Sequence, residues 1–285
     1  MKIIRYEHAG LIAFGELSGN KIRSIAAKSL LELMEASADD ALGISSASEW
    51  KLNIEDVRLL APIQPSRNLF CVGWNYLKHY NESKGKRGNQ EVELPDRPTF
   101  FTKLPTTIAG PFDDLPLHQK YTSKLDWEVE LAVVIGKDGR DIKEENALDH
   151  VFGFAVANDI SARDLQKAHG AQWFKGKSLD STCPIGPCIV TADEIQDVQN
   201  LKIQCKLNGQ VVQESRTDHQ IFSVARIISE LSSGLTLKAG DVILTGTPEG
   251  IGAARVPPLF LAHNDIVECT VEGIGTIRNQ IKDHL

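Results

Sequence analysis

Glu128 and Glu130 stand two residues apart in a segment, 126–136, whose odd-numbered residues Trp127, Val129, Leu131, Val133 and Ile135 are all apolar. A period of two belongs to a strand, so the spacing predicts one apolar face and places both carboxylates together on the other. Like charges so close repel, and an enclosed pair is costly unless a cation neutralises it. The pair is therefore read either as a solvated strand face or as part of a cation site. Asp159 adds a third carboxylate where the predicted strand Val151–Asn158 gives way to a helix, with Asn158 and Ser161 as its neighbours. Three carboxylates with no adjacent thiolate or paired imidazoles make a hard-oxygen set, which selects Mg²⁺, Mn²⁺ or Ca²⁺ over Zn²⁺.

His79 and Glu82 are spaced i, i+3. If the chain turns helically after Tyr76, the carboxylate can orient the imidazole as a general base; otherwise the two form a surface pair. Lys177 lies in Lys175-Gly176-Lys177-Ser178, but Gly170 and Gly176 are too far apart for a phosphate loop, and Trp173 and Phe174 make a poor phosphate cradle. Gly250-Ile251-Gly252 fails as a dinucleotide fingerprint, because Arg255 stands where its third glycine belongs. There is no G-x-S-x-G elbow and no H-E-x-x-H motif.

These residues need a frame. Short strands are expected at 2–6, 11–16 and 21–25, followed by a helix from Ser29 with a Ser29/Glu32 capping box. Pro62 and Pro65 mark a boundary, giving a small N-terminal unit (1–62) and a strand-rich body (63–285). Ser161 is placed to cap a helix, with Asp164 three positions on. Val224, Ile227, Ile228 and Leu231 fall on one helical face over 223–231, with Gly234 ready to end it. Strands are also read at 201–207, 241–244 and 266–271. The charged stretch 81–96 lacks apolar periodicity and reads as a surface loop, either a solvated insertion or a mobile lid following His79.

Composition bounds the rest. The 285 residues are 42% hydrophobic and the 22 Gly and 12 Pro are scattered, which excludes a disordered chain. No apolar run approaches the roughly 18 residues of a membrane span. Arg5, Glu7 and His8 interrupt the N-terminal apolar stretch, so no signal peptide is expected. The net charge of −7 argues against nucleic acid and anionic membranes as partners. The five cysteines lack zinc spacing and are expected to be reduced, buried thiols in a cytoplasmic protein.

Six blocks, in order, resemble the fumarylacetoacetate hydrolase superfamily from about Arg67 to Asn279. They are Cys71-Val72-Gly73-Trp74-Asn75-Tyr76 with His79 and Glu82; Phe100-Phe101-Thr102-Lys103; Asp126-Trp127-Glu128-Val129-Glu130-Leu131; Asn158-Asp159-Ile160-Ser161-Ala162-Arg163-Asp164-Leu165-Gln166; Gly176-Lys177-Ser178-Leu179-Asp180; and Gly240-Asp241-Val242-Ile243-Leu244-Thr245-Gly246-Thr247-Pro248. The resemblance implies an α+β, mostly β fold, a mixed β-sandwich roll with a small variable N-terminal α/β unit, and a homodimer. It implies that Glu128, Glu130 and Asp159 hold the metal (Mg²⁺ or Mn²⁺, with Ca²⁺ as a substitute) and that His79 and Glu82 activate water. Lys177 would stand beside the substrate, and Arg163, Gln166, Thr247 and Lys103 would line its pocket. Similar proteins hydrolyse acylpyruvates and related β-diketo acids, decarboxylate oxaloacetate, or isomerise and decarboxylate dicarboxylic dienes. A shared enolate links these outcomes. The first expectation is hydrolysis of an acylpyruvate-type carbon–carbon bond. The decarboxylase or isomerase is the alternative, and a silent binding scaffold is a third.

Overall fold

Alternating patterns dominate the chain, and strands dominate the computed structural model, which describes residues 1–38, 51–85, 93–170 and 172–283. In chain order the elements are β1 (Lys2–His8), β2 (Leu11–Ser18), β3 (Lys21–Ile25), α1 (Leu30–Ala38), β4 (Leu52–Asn53), β5 (Arg58–Leu60), β6 (Leu69–Gly73), α2 (Leu77–Glu82), β7 (Thr99–Lys103), β8 (Ile108–Ala109), β9 (Leu115–Pro116) and β10 (Leu125–Asp126). Then follow β11 (Val129–Ile135), β12 (Val151–Asn158), β13 (Ser161–Ala162), α3 (Arg163–Ala168), α4 (Phe174–Lys177), β14 (Cys183–Thr191), β15 (Lys202–Leu207), β16 (Gln210–Arg216), α5 (Val224–Ser232), β17 (Val242–Leu244), β18 (Ile266–Val271) and β19 (Gly275–Lys282). The large sheet runs β4-β3-β2-β1-β14-β12-β11-β17-β6-β7, with β5 beside β1 and β8 beside β14. A five-stranded sheet, β16-β15-β18-β19-β9, packs against it, and β10 pairs with β13. The fold is α+β and mostly β, a mixed β-sandwich roll. β1 joins the N-terminal hairpins to the body through Lys2↔Val190 and Ile3↔Ile189.

Apolar side chains on opposite faces of β11 feed two separate cores. Val129, Leu131, Val133 and Ile135 pack with Ile203, Cys205, Val267, Cys269 and Ile277 between the sheets. Ala132 and Val134 face the other way, into a layer with Ala155, Ala157 and the α1 residues Leu33 and Met34. Glu130 therefore shares its face with small buried residues, not with solvent, which disposes of the solvated-face reading.

The expected strand over 126–136 is interrupted. β10 stops at Asp126, and β11 begins at Val129. Asn158 sits across the gap, its Oδ1 accepting the Glu128 N–H (2.9 Å), while the Glu128 carbonyl accepts the Asp159 N–H (2.8 Å). Ser161 also departs from expectation. It caps nothing: it pairs with Asp126 in the β10–β13 ladder and its hydroxyl donates to the Asp159 carbonyl (2.9 Å). α3 starts after Ala162, and the Asp164 carboxylate accepts instead from Thr122 Oγ1 and the N–H groups of Ser123 and Leu165.

Other local signals hold. Ser223 caps α5 by accepting the Arg226 N–H (3.1 Å). Ser29 Oγ accepts the Glu32 N–H (3.1 Å), although Glu32 returns its bond to the N–H of Lys28. α2 forms directly after Tyr76. All five cysteines are free and buried. Of the stretch 81–96, residues 86–92 lie outside the described residues, and the lid expectation falls partly there. Among the described residues no helix is long and apolar enough to cross a membrane.

α4 carries Lys177 and docks on α3 at Gly176, where a Cβ would meet Gln166 N at 2.4 Å and the Ala162 carbonyl at 2.7 Å. Backbone cannot give way as a flexible side chain can, so Gly176→Ala should cost about 1–3 kcal/mol. A lowered urea midpoint with native far-UV dichroism is the expected result.

Candidate active site

The three carboxylates meet. One oxygen from each of Glu128, Glu130 and Asp159 lies within 4.8 Å of the others, and all three residues are buried. Period-two geometry delivers Glu130 from β11, the gap after β10 delivers Glu128, and the end of β12 delivers Asp159.

Their charges are answered by a row of buried cations. Lys177 Nζ bridges Glu128 Oε2 (2.7 Å) and Asp159 Oδ2 (2.5 Å). Lys103 Nζ reaches Asp159 Oδ1 (2.9 Å) and the Ile160 carbonyl (3.1 Å). Arg163 Nη2 lies 2.6 Å from Glu128 Oε1, its Nε donates to Asp126 Oδ2 (2.8 Å), and its Nη1 donates to Gln166 Oε1 (3.3 Å). Burial pushes Glu128 up, but Lys177 and Arg163 outweigh it and hold the carboxyl well below the usual range. Burial likewise opposes the Lys177 ammonium, yet Asp159 and Glu128 raise it above an ordinary lysine, so it stays a cation.

Glu130 is the exception. Burial, then repulsion from Asp159 and Glu128, push its carboxyl well above the ordinary value; the Lys177 charge and the Gly246 N–H, 2.6 Å from Oε2, only partly compensate.

The residues fit a hard divalent cation. The donor set is all carboxylate, and burial together with its two acidic neighbours raises the carboxyl of one of the three. Asn158 Nδ2, beside the triad, is buried with no hydrogen-bond partner among the described residues, as expected of a donor that meets a ligand or water oxygen.

The dyad also forms. His79 and Glu82 lie on one face of α2, with Nδ1 2.7 Å from Glu82 Oε1. The carboxylate accepts, so Nδ1 carries the proton and Nε2 is left as the basic nitrogen. Glu82 Oε2 accepts the Gly250 N–H (2.9 Å), which fixes the carboxylate from a distant turn. Gly246 gives its N–H to Glu130 and Gly250, four residues on, gives its own to Glu82, so one short stretch of chain ties the dyad to the triad.

Lys103 and Thr247, expected to line the pocket, are both buried. Lys103 is wholly enclosed, its ammonium committed to Asp159 and Ile160. Thr247 is also buried, its hydroxyl donating to the Val129 carbonyl (2.9 Å) and accepting from Gln213 Nε2 (2.9 Å). Arg163 and Gln166 are brought together. Sequence reasoning missed the N–H donors of Gly246 and Gly250. Both glycines have positive φ, +100° and +102°, and a Cβ at Gly250 would meet the Val212 carbonyl at 2.1 Å. Two glycines four residues apart, at the end of the last motif block, are the signal that could have found them.

Comparison with known proteins bears on this geometry. The family model described as fumarylacetoacetate (FAA) hydrolase, C-terminal, matches residues 68–282. The chain belongs to the fumarylacetoacetate hydrolase family. Among curated relatives, the oxaloacetate tautomerase YisK of Bacillus subtilis (strain 168) is 47% identical over 230 residues, spanning 80% of this chain and 74% of that protein. Among solved structures in the family, a fumarylacetoacetate hydrolase from psychrophilic Exiguobacterium antarcticum is 40% identical with a TM-score of 0.87, covering 99% of both chains. Another, a 2-hydroxyhepta-2,4-diene-1,7-dioate isomerase from Mycobacterium marinum, is 32% identical with a TM-score of 0.76, covering 99% of this chain and 98% of that one.

The raised Glu130 carboxyl sets a pH dependence with a definite sign. A carboxyl raised on folding gives stability that is lost as pH rises through its folded value, so the cation-free protein should lose Tm with rising pH. A cation must displace that proton, so the Tm gained on adding Mg²⁺ or Mn²⁺ should be larger at about pH 8.5 than at about pH 6. Thermal melts across that range check it.

Proposed function

We propose that this protein interconverts the keto and enol forms of a small 2-oxo dicarboxylic acid of the oxaloacetate type, with a hard divalent cation held by Glu128, Glu130 and Asp159. The observation that carries the reading is the oriented His79–Glu82 dyad set beside a carboxylate triad bridged by Lys177. Such a site can remove a proton next to a carbonyl and hold the resulting enolate. The names of the relatives then favour tautomerisation or isomerisation over the carbon–carbon hydrolysis expected first from the sequence. Hydrolysis stays as the second reading because the similar Exiguobacterium protein is named a hydrolase. A silent scaffold is not favoured, since the dyad, the triad and Lys177 are all present.

A cation in the triad would supply Lewis-acid polarisation of the keto oxygen and charge for the enolate. The rest falls to the chain's own groups. Gly250 holds Glu82, Glu82 holds the His79 Nδ1–H, and Nε2 takes the proton from the carbon between the keto group and the distal carboxylate. Lys177, kept cationic, donates a hydrogen bond to the developing oxyanion and does not act as a base. Arg163, with Gln166 beside it, takes a substrate carboxylate. Return of the proton to oxygen or carbon completes the interconversion in either direction. We further take the protein to act as a cytoplasmic homodimer, with residues 1–62 as a small unit beside the catalytic body 63–285.

Disappearance of enol-oxaloacetate, followed by ultraviolet absorbance with Mg²⁺ present, tests the reading. His79→Ala should lower the enzymatic rate about 10²–10⁴-fold, the range for a general base. Lys177→Ala should also be strongly impaired. Wild-type enzyme that leaves the oxaloacetate equilibrium untouched but cleaves acetylpyruvate would overturn tautomerisation in favour of hydrolysis.

A further inference from the structure

Asp126 belongs to neither the dyad nor the triad, yet it is wholly enclosed and its two oxygens accept four donors. Oδ1 takes the N–H groups of Trp127 (2.9 Å) and Gly252 (2.7 Å). Oδ2 takes the Ala253 N–H (2.9 Å) and Arg163 Nε (2.8 Å). Burying a carboxylate is costly, and three backbone donors would be satisfied by a neutral acceptor. What asks for a full negative charge is the guanidinium.

A guanidinium is a rigid planar fork, so fixing its Nε–H fixes where its other nitrogens point. With Nε on Asp126, Nη2 faces Glu128 and Nη1 faces Gln166. The carboxylate is itself immobile, because the turn that holds it is tightly packed. A Cβ at Gly252 would meet the Leu259 carbonyl at 1.9 Å and Asp126 Oδ1 at 2.8 Å. Two residues earlier the same turn gives the Gly250 N–H to Glu82, and the Gly250 carbonyl accepts from Trp127 Nε1 (3.3 Å). One turn, 250–253, thus anchors both the base and the anion-binding fork.

We propose that Asp126 is a positioning residue: held by the 250–253 turn, it sets the plane of the Arg163 guanidinium so that its η-nitrogens meet a substrate carboxylate. This rests on the reading of Arg163 as a substrate contact. The alternative is an ion pair that merely closes the turn, and the two differ in what they predict for binding.

Asp126→Asn separates them. The amide keeps Oδ1 for Trp127 and Gly252 but turns N–H toward Ala253 and Arg163, so the fork is released while most of the turn's bonds stay. A carboxylate contact made equally in ground and transition states appears in KM, so KM for oxaloacetate should rise about tenfold with kcat held within about threefold. The double variant with Arg163→Lys should be no worse than Arg163→Lys alone, since both act through one group. A fall in kcat with KM unmoved, or fully additive losses, overturns the proposal. A crystal structure of Asp126→Asn gives a readout independent of substrate: the guanidinium should leave its place between Glu128 and Gln166, and an unmoved guanidinium overturns the proposal whatever acid the enzyme accepts. A displaced guanidinium in an enzyme indifferent to oxaloacetate would sink the tautomerase reading and leave the positioning role standing. Should Asp126→Asn fail to fold, the smaller Asp126→Ser carries the same measurements.

Discussion

Six buried charges alternate in sign along one line: Asp126, Arg163, Glu128, Lys177, Asp159, Lys103. Each ion removed from water costs several kcal/mol unless it is met at close range, so each member of the row leans on its neighbours. The six balance. Glu130, beside Asp159 and Glu128 and without an ion pair among the described residues, is the surplus, and burial and those two carboxylates raise its carboxyl. A divalent cation would reverse that surplus and leave the centre net positive, which suits an anionic substrate. The stability of the interior and the chemistry of the site therefore depend on the same ion pairs.

The backbone is arranged to serve this row. The chain does not run as one strand from Asp126 to Ile135: Asp126 meets the 252–253 turn and Arg163, and Glu128 meets Lys177 and Arg163. The break between β10 and β11 releases both side chains from strict alternation, and Asn158 covers the freed Glu128 N–H. Gly246 and Gly250 deliver their N–H groups to Glu130 and Glu82 from backbone conformations that a side chain would strain. Side chains thus carry the charge, and glycines set where it sits.

What is legible in the sequence follows the range of each interaction. His79 and Glu82 are neighbours on one helical turn, so spacing alone brings them together. The apolar period of β11 locates Glu130 and its face. Ser161 misleads because its strand partner, Asp126, is distant in sequence, and local pattern offers a cap instead. Asp126 carries no periodic signal and suggests no role. Gly250 and Gly252 invite comparison only with a dinucleotide motif, a test blind to N–H groups aimed at carboxylates. For Lys103 and Thr247, the family resemblance fixes position along the chain, whereas their burial and their bonds to Asp159 and Val129 depend on distant strands.

The hydrogen bond from Gly250 to Glu82 spans 168 positions of sequence. β6, which leads into α2, is likewise held in the sheet by a parallel partner, β17, just ahead of that glycine. Closing such long loops comes late and slowly in folding, because chain entropy must be overcome before the contact rewards it. A chain made only as far as Asp241 already contains His79, Glu82 and all three carboxylates of the triad, yet lacks the Gly250 peptide that fixes Glu82. The orientation of the His79–Glu82 pair is therefore completed at the end of folding, when the last quarter of the polypeptide settles onto the first third.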